Sequence, residues 1–118
     1  MLAPSRQLEI QNGVVKRTMK DVYAYQKEYA EMKEQIQRAT QDQPVKQWQK
    51  VLEETERMVA DSCRRLSEAV ETLQKLQTQL ETLRGSQEWE DSKVLLEDAK
   101  QILLQNAFNE TKQCTETA

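Results

Sequence analysis

Residues 45–83 read VKQWQKVLEETERMVADSCRRLSEAVETLQKLQTQLETL, and the spacing of their apolar and small side chains decides the fold class. Val45, Trp48, Leu52, Thr55, Val59, Ser62, Leu66, Ala69, Leu73, Leu76, Leu80 and Leu83 follow one another in alternating steps of three and four. That is the period of a helix that buries one narrow seam against partner helices, and no strand alternation competes with it. At about 1.5 Å per residue the run predicts a helix of roughly 60 Å, several times the ordinary globular length. It is the spine of the molecule.

Working outward, the same period recurs on both sides. Before the spine, Val15, Val22, Tyr29 and Ile36 occupy one core position, and Thr18, Tyr25, Met32 and Ala39 the other. After it, Trp89, Leu95, Leu96, Ala99, Ile102 and Leu103 form a wider stripe, suited to a helix lying in the groove of two others. The punctuation agrees. Asp42 and Pro44 offer a capping side chain and a first-turn proline. Gly85 can take the left-handed conformation that ends the spine, and Ser86 can cap the next helix. Asn12 and Gly13 read as the start of the first helix. The expectation is an all-α fold: an elongated antiparallel three-helix bundle with left-handed coiled-coil packing and a long central helix. Its helices are expected at about 13–40, 43–84 and 86–106, within a bundle spanning 1–104, followed by a polar, disordered tail over 105–118. With those bounds all three helices overlap only mid-spine, around small Ser62 and Ala69. The Trp48 and Leu80 to Leu83 ends are left partly open.

Composition narrows the function. The chain has 118 residues, enough for one domain, and only 37% are apolar against 31% charged, which favours an extended helical assembly over a thick globular core. Met1 to Ile10 lacks the apolar centre of a secretory signal and no window is apolar enough to span a membrane, so a cytosolic protein is expected. The net charge of -3 is small, and acids and bases are interspersed, which argues against nucleic acid as a partner. The chain contains no histidine, and its two glycines, Gly13 and Gly85, are isolated. The commonest acid/base group and any glycine-rich phosphate cradle are therefore missing. Cys63 and Cys114 have no metal-ligand spacing and are not expected to form a disulfide. No enzyme activity, cofactor or metal is expected.

The residues with binding character lie on helix faces. Lys16, Arg17 and Lys20 form a basic cluster near the expected start of the first helix, where the helix dipole disfavours them. Tyr23 should point outward while Tyr25 and Tyr29 fall on the seam. Acid-before-base pairs such as Glu34 with Arg38, Glu53 with Arg57, Asp61 with Arg65 and Glu71 with Lys75 support helices and carry no chemistry.

Three segments in order also carry a resemblance. Arg6-Gln7-Leu8-Glu9-Ile10 followed by Gly13-Val14-Val15-Lys16-Arg17, then Lys20, Tyr25, Lys27 and Glu28, resembles the opening of the tubulin-folding cofactor A family. Arg57-Met58-Val59-Ala60-Asp61 leading to Arg64-Arg65-Leu66 looks like its second helix. Trp89 through Lys93, Leu95, Leu96, Ala99 and Lys100 resembles its third. The similarity covers about residues 6–103. It implies a chaperone that captures β-tubulin released from the cytosolic chaperonin and keeps it available for heterodimer assembly. The implied chaperone is a monomer or weak dimer, with other tubulin-folding cofactors as further candidate partners and no nucleotide, metal, nucleic acid or membrane. Lys16, Arg17, Lys20, Tyr23, Arg64 and Arg65 are the contact residues carried over. Ala60 stands where the family commonly has proline, which predicts a straighter spine. A self-associating cytoskeletal spacer is the alternative reading.

Overall fold

The structure is a computed structural model; it describes the backbone of residues 3–117 and the side chains of residues 3–106. Three helices follow one another, α1 (Pro4–Gln37), α2 (Val45–Gln79) and α3 (Gln87–Thr117), with a short 3-10 turn, Glu81–Leu83, after α2. Among the described residues there is no strand. The molecule measures 62 × 28 × 19 Å with a radius of gyration of 18.4 Å, against about 13 Å for a compact domain of this length. It is the elongated all-α bundle that the seam predicts.

α2 is unbroken through exposed Ala60, as the missing proline implies. It ends at Gln79, short of the expected residue 84. There the chain tightens: Leu83 N–H donates to the Leu80 carbonyl and Ser86 N–H to the Leu83 carbonyl, each at 2.9 Å. Such i→i+3 bonds satisfy carbonyls that the helix end would orphan. Gly85 takes φ 95, the left-handed value expected of it, and the Ser86 hydroxyl accepts the Trp89 N–H at 3.3 Å. At the other connection Pro44 occupies the N-cap of α2 and no side chain caps that helix, so Asp42 does not play the expected role.

The largest departure lies at the start of α1, which begins at Pro4 and not near residue 13. Proline at N1 loses no hydrogen bond there, and the first turns are held by tertiary burial that outweighs the helix-weakening Gly13. Leu8 is fully buried and Asn12 is 6% exposed. This shifts the three-helix overlap from mid-spine to the α2–α3 turn, and Leu80 and Leu83 pack against the core. Trp48, at the other end of the spine, is half-buried. At the other end of the chain, helical backbone continues to Thr117, past the expected end at 106 and over much of the expected tail. No glycine or proline follows Gly85 to stop it.

The core is one cluster: Leu8, Val15 and Val22 from α1, Leu66, Ala69, Val70 and Leu73 from α2, and Leu95, Leu96, Ala99 and Ile102 from α3. Each fully buried Leu or Val adds about 1.5–3 kcal/mol by leaving water. Cys63 is half-buried beside this cluster, and Cys114 lies outside the described side chains.

Candidate binding faces

Polar groups inside the seam set how α1 and α3 sit together. Asn12 Nδ2 donates to the Glu88 carbonyl at 3.1 Å. The Ser92 hydroxyl lies 2.6 Å from Asn12 Oδ1 and 2.8 Å from that carbonyl, sharing its one proton between them. Further along, Gln26 Nε2 donates to Asn106 Oδ1 at 2.7 Å. Both side-chain pairs are separated by 80 residues, so α1 and α3 run parallel in one constant heptad register. Gln11 Nε2 donates to the Ala69 carbonyl at 3.2 Å and fixes antiparallel α2 against them. Each of these bonds fails if a helix slides by one residue, because a buried polar atom would lose its partner. None of this network was singled out from the sequence, where Asn12 reads as a helix start, Asn106 as the end of the third helix, and Ser92 has no assigned role.

That frame sorts the six candidate contact residues into two groups. Lys16, Arg17 and Lys20 lie in the interior of α1, not at its start, so the dipole argument for them does not hold. All three are exposed, and none forms an ion pair with a described residue. Tyr23 is 58% exposed and follows Lys16 and Lys20 by seven and three residues, which puts the three on one face of α1. Arg17 stands apart, with its Nη1 3.7 Å from where a Cβ on Gly13 would lie.

Arg64 and Arg65 on α2 are also exposed but already engaged. Arg64 contacts Asp61 at 2.8 Å and Glu68 at 3.2 Å, and Arg65 contacts Asp61 at 3.3 Å. The Arg64 hydrogen bond, with the charge of Arg65 behind it, holds the Asp61 carboxyl below its ordinary range, and Asp61 in turn raises Arg64. A partner would have to compete with Asp61 for either arginine, whereas the α1 cations are available at once.

The rest of the surface offers shallow ground. An open groove of about 390 Å³ at the α1–α2 hairpin is lined by Glu31, Glu34, Gln35, Arg38, Gln43 and Trp48, and Arg38 there is tied to Glu34 at 2.6 Å. Among the described residues no cluster of His, Cys, Asp or Glu is arranged to hold a metal, and none of their helices is long and apolar enough to cross a membrane. The chemistry available is that of exposed helix faces and grooves.

The molecule is therefore a rod-like helical protein whose six candidate contact residues all lie exposed on its outer faces. Comparison with known proteins gives that class a family. The family described as Tubulin binding cofactor A matches residues 3–103. Tubulin-specific chaperone A of Gallus gallus is 32% identical over 99 residues, covering 80% of this chain and 92% of its own length. The Homo sapiens protein of the same name is 29% identical with the same coverage. Human tubulin chaperone cofactor A superposes with a TM-score of 0.74 at 27% identity, over 83% of this chain and 99% of its own. Tubulin folding cofactor A from Arabidopsis thaliana gives 0.74 at 27% identity, over 86% and 99%. The chain belongs to the tubulin binding cofactor A family.

Proposed function

We propose that this protein is a tubulin-folding cofactor that binds β-tubulin folding intermediates released from the cytosolic chaperonin and holds them for assembly of the αβ heterodimer. Family membership across residues 3–103 is the observation that carries the reading. Holding needs no chemistry at a reacting atom: a face that covers exposed surface on the incomplete partner lowers the population free to aggregate, by mass action. The reading is accordingly of a non-enzymatic, cytoplasmic and cytoskeleton-associated chaperone, a monomer or weak dimer that needs no nucleotide or metal, with other tubulin-folding cofactors as further partners.

Within it, Lys16, Lys20 and Tyr23 are the leading contacts, supported by their shared face and unpaired charges. Arg17 is secondary, and Arg64 and Arg65 contribute less because Asp61 and Glu68 hold them. Unpaired surface cations set encounter rate and orientation more than fold stability. The test is native electrophoresis of the protein with freshly chaperonin-released β-tubulin, α-tubulin serving as control. A β-specific shift that weakens in Lys16→Glu/Lys20→Glu, with helicity unchanged, is the expected result. No shift with either tubulin contradicts the reading.

A further inference from the structure

Residues 1–27 carry five Lys and Arg against two Asp and Glu, in a chain whose net charge is -3. Within that stretch Lys16, Lys20, Tyr23 and Lys27 follow one another in steps of four, three and four, so they form a single stripe along α1. All four are exposed. Asn12 and Gln26, which bond to α3, are helical neighbours of Lys16 and Tyr23 and mark the α3 side of the stripe. None of the three lysines has an ion pair or a ring contact with a described residue.

The stripe is narrow. Exposed acids border it: Asp21, Glu28 and Glu31 on α1 and Asp98 on α3, the last level with residue 18 in the register that pairs Gln26 with Asn106. From Lys16 to Lys27 it runs about 16 Å along the helix axis. A bilayer surface or a nucleic-acid duplex is wider than one helix, and its phosphates would meet those carboxylates together with the lysines. An extended peptide covers the same length in about five residues, and its alternate side chains recur about every 7 Å, close to the rise of about 6 Å between Lys16 and Lys20. Tyr23, between Lys20 and Lys27, adds an apolar ring with a hydroxyl at its tip.

We propose that the stripe of Lys16, Lys20, Tyr23 and Lys27 binds a short acidic segment of the tubulin partner, its carboxylates set against the three ammonium groups. The inference rests on the tubulin reading above; it gives the contact face a ligand chemistry and adds Lys27 to it. A lysine that gives up no ion pair of its own chain keeps the whole of its attraction for an incoming carboxylate. Formed at an exposed surface, these pairs weaken with salt. They act on the rate of capture and on the orientation of the partner.

The probe is a short fluorescent peptide alternating Glu and Ser, followed by anisotropy against the full chain, with a peptide carrying Gln for Glu as control. The wild-type chain is expected to bind the Glu peptide and not the Gln peptide, and to lose the binding as salt is raised. Affinity should fall about tenfold in Lys16→Gln/Lys20→Gln/Lys27→Gln. Lys16→Arg/Lys20→Arg/Lys27→Arg, which keeps the charge, should retain it, with helicity by circular dichroism the same in both variants. Excess Glu peptide should also weaken the β-specific shift in native electrophoresis, as the glutamine variant does. Equal binding of the two peptides, or Glu-peptide binding unchanged in the glutamine variant, overturns the stripe as an acid site. A β-tubulin shift that neither the peptide nor the glutamine variant weakens overturns the acidic segment and leaves the tubulin reading standing. No shift with either tubulin overturns that reading and the inference with it. Tighter, stripe-dependent binding to phosphatidylserine vesicles or to single-stranded RNA would assign the stripe to lipid or nucleic acid instead.

Discussion

The two halves of the rod share a heptad period but differ in what the period buries. Around Val15, Leu66 and Ala99 three helices meet, and all three of these residues have at most 0% exposure. Around Tyr29, Trp48 and Leu52 the same steps of three and four leave aromatic and aliphatic side chains half in water. Periodicity dictates which side of a helix turns inward; the number of neighbours available decides how far inward is. One half is a folded core, and the other is a surface with the pattern of a core.

The largest expected contrast is in core deletions. Leu66→Ala should cost about 2–5 kcal/mol, the range for a fully buried leucine, whereas Leu52→Ala should cost clearly less because the site is already partly hydrated. Urea unfolding of the two variants makes the comparison, and equal losses would erase the distinction between halves. Next in size is the polar register. Ser92→Ala leaves Asn12 Oδ1 without its donor inside the dense half, with an expected loss of about 1–3 kcal/mol. A neutral result would mean that water reaches Asn12.

Gly13→Ala sharpens the account from the opposite direction. Gly13 lies inside α1, and an added Cβ would meet only Arg17 Nη1 at 3.7 Å, an ordinary contact. The substitution should stabilise by about 0.5–1 kcal/mol, read as a higher urea midpoint at constant slope. Destabilisation would show that α1 does not run helically through residue 13. The smallest effect concerns acid. Because the folded-state carboxyl of Asp61 is held below its ordinary value by Arg64, its contribution is present above that ordinary value and lost as pH falls through the lowered one. Asp61→Asn should flatten this acid limb slightly in a melting series and release Arg65, while Arg64 keeps its contact with Glu68.

The spine was legible because its seam is long and uninterrupted, and the α2–α3 turn because Gly85 and Ser86 each have one conformational role there. The start of α1 was not, since Asn12-Gly13 carries the local chemistry of a boundary and only tertiary burial of Leu8 and Asn12 overrides it. For the same reason Ser92 and Asn106 gave no signal: a polar residue on a seam looks like a surface residue until its partner is known. On the binding faces, the exposure of Tyr23 could be read from its offset to the seam. The spacing of Asp61 and Arg65 likewise foretold that pair, while the hold of Asp61 and Glu68 on Arg64 needed the structure.

Hydrogen exchange of the intact protein, followed by mass spectrometry, tests the central contrast most directly. Slow exchange over residues 8–22 and 62–73, with markedly faster exchange over 25–36 and 45–58, is the predicted result. Protection of equal strength along the whole of α1 and α2 would contradict it.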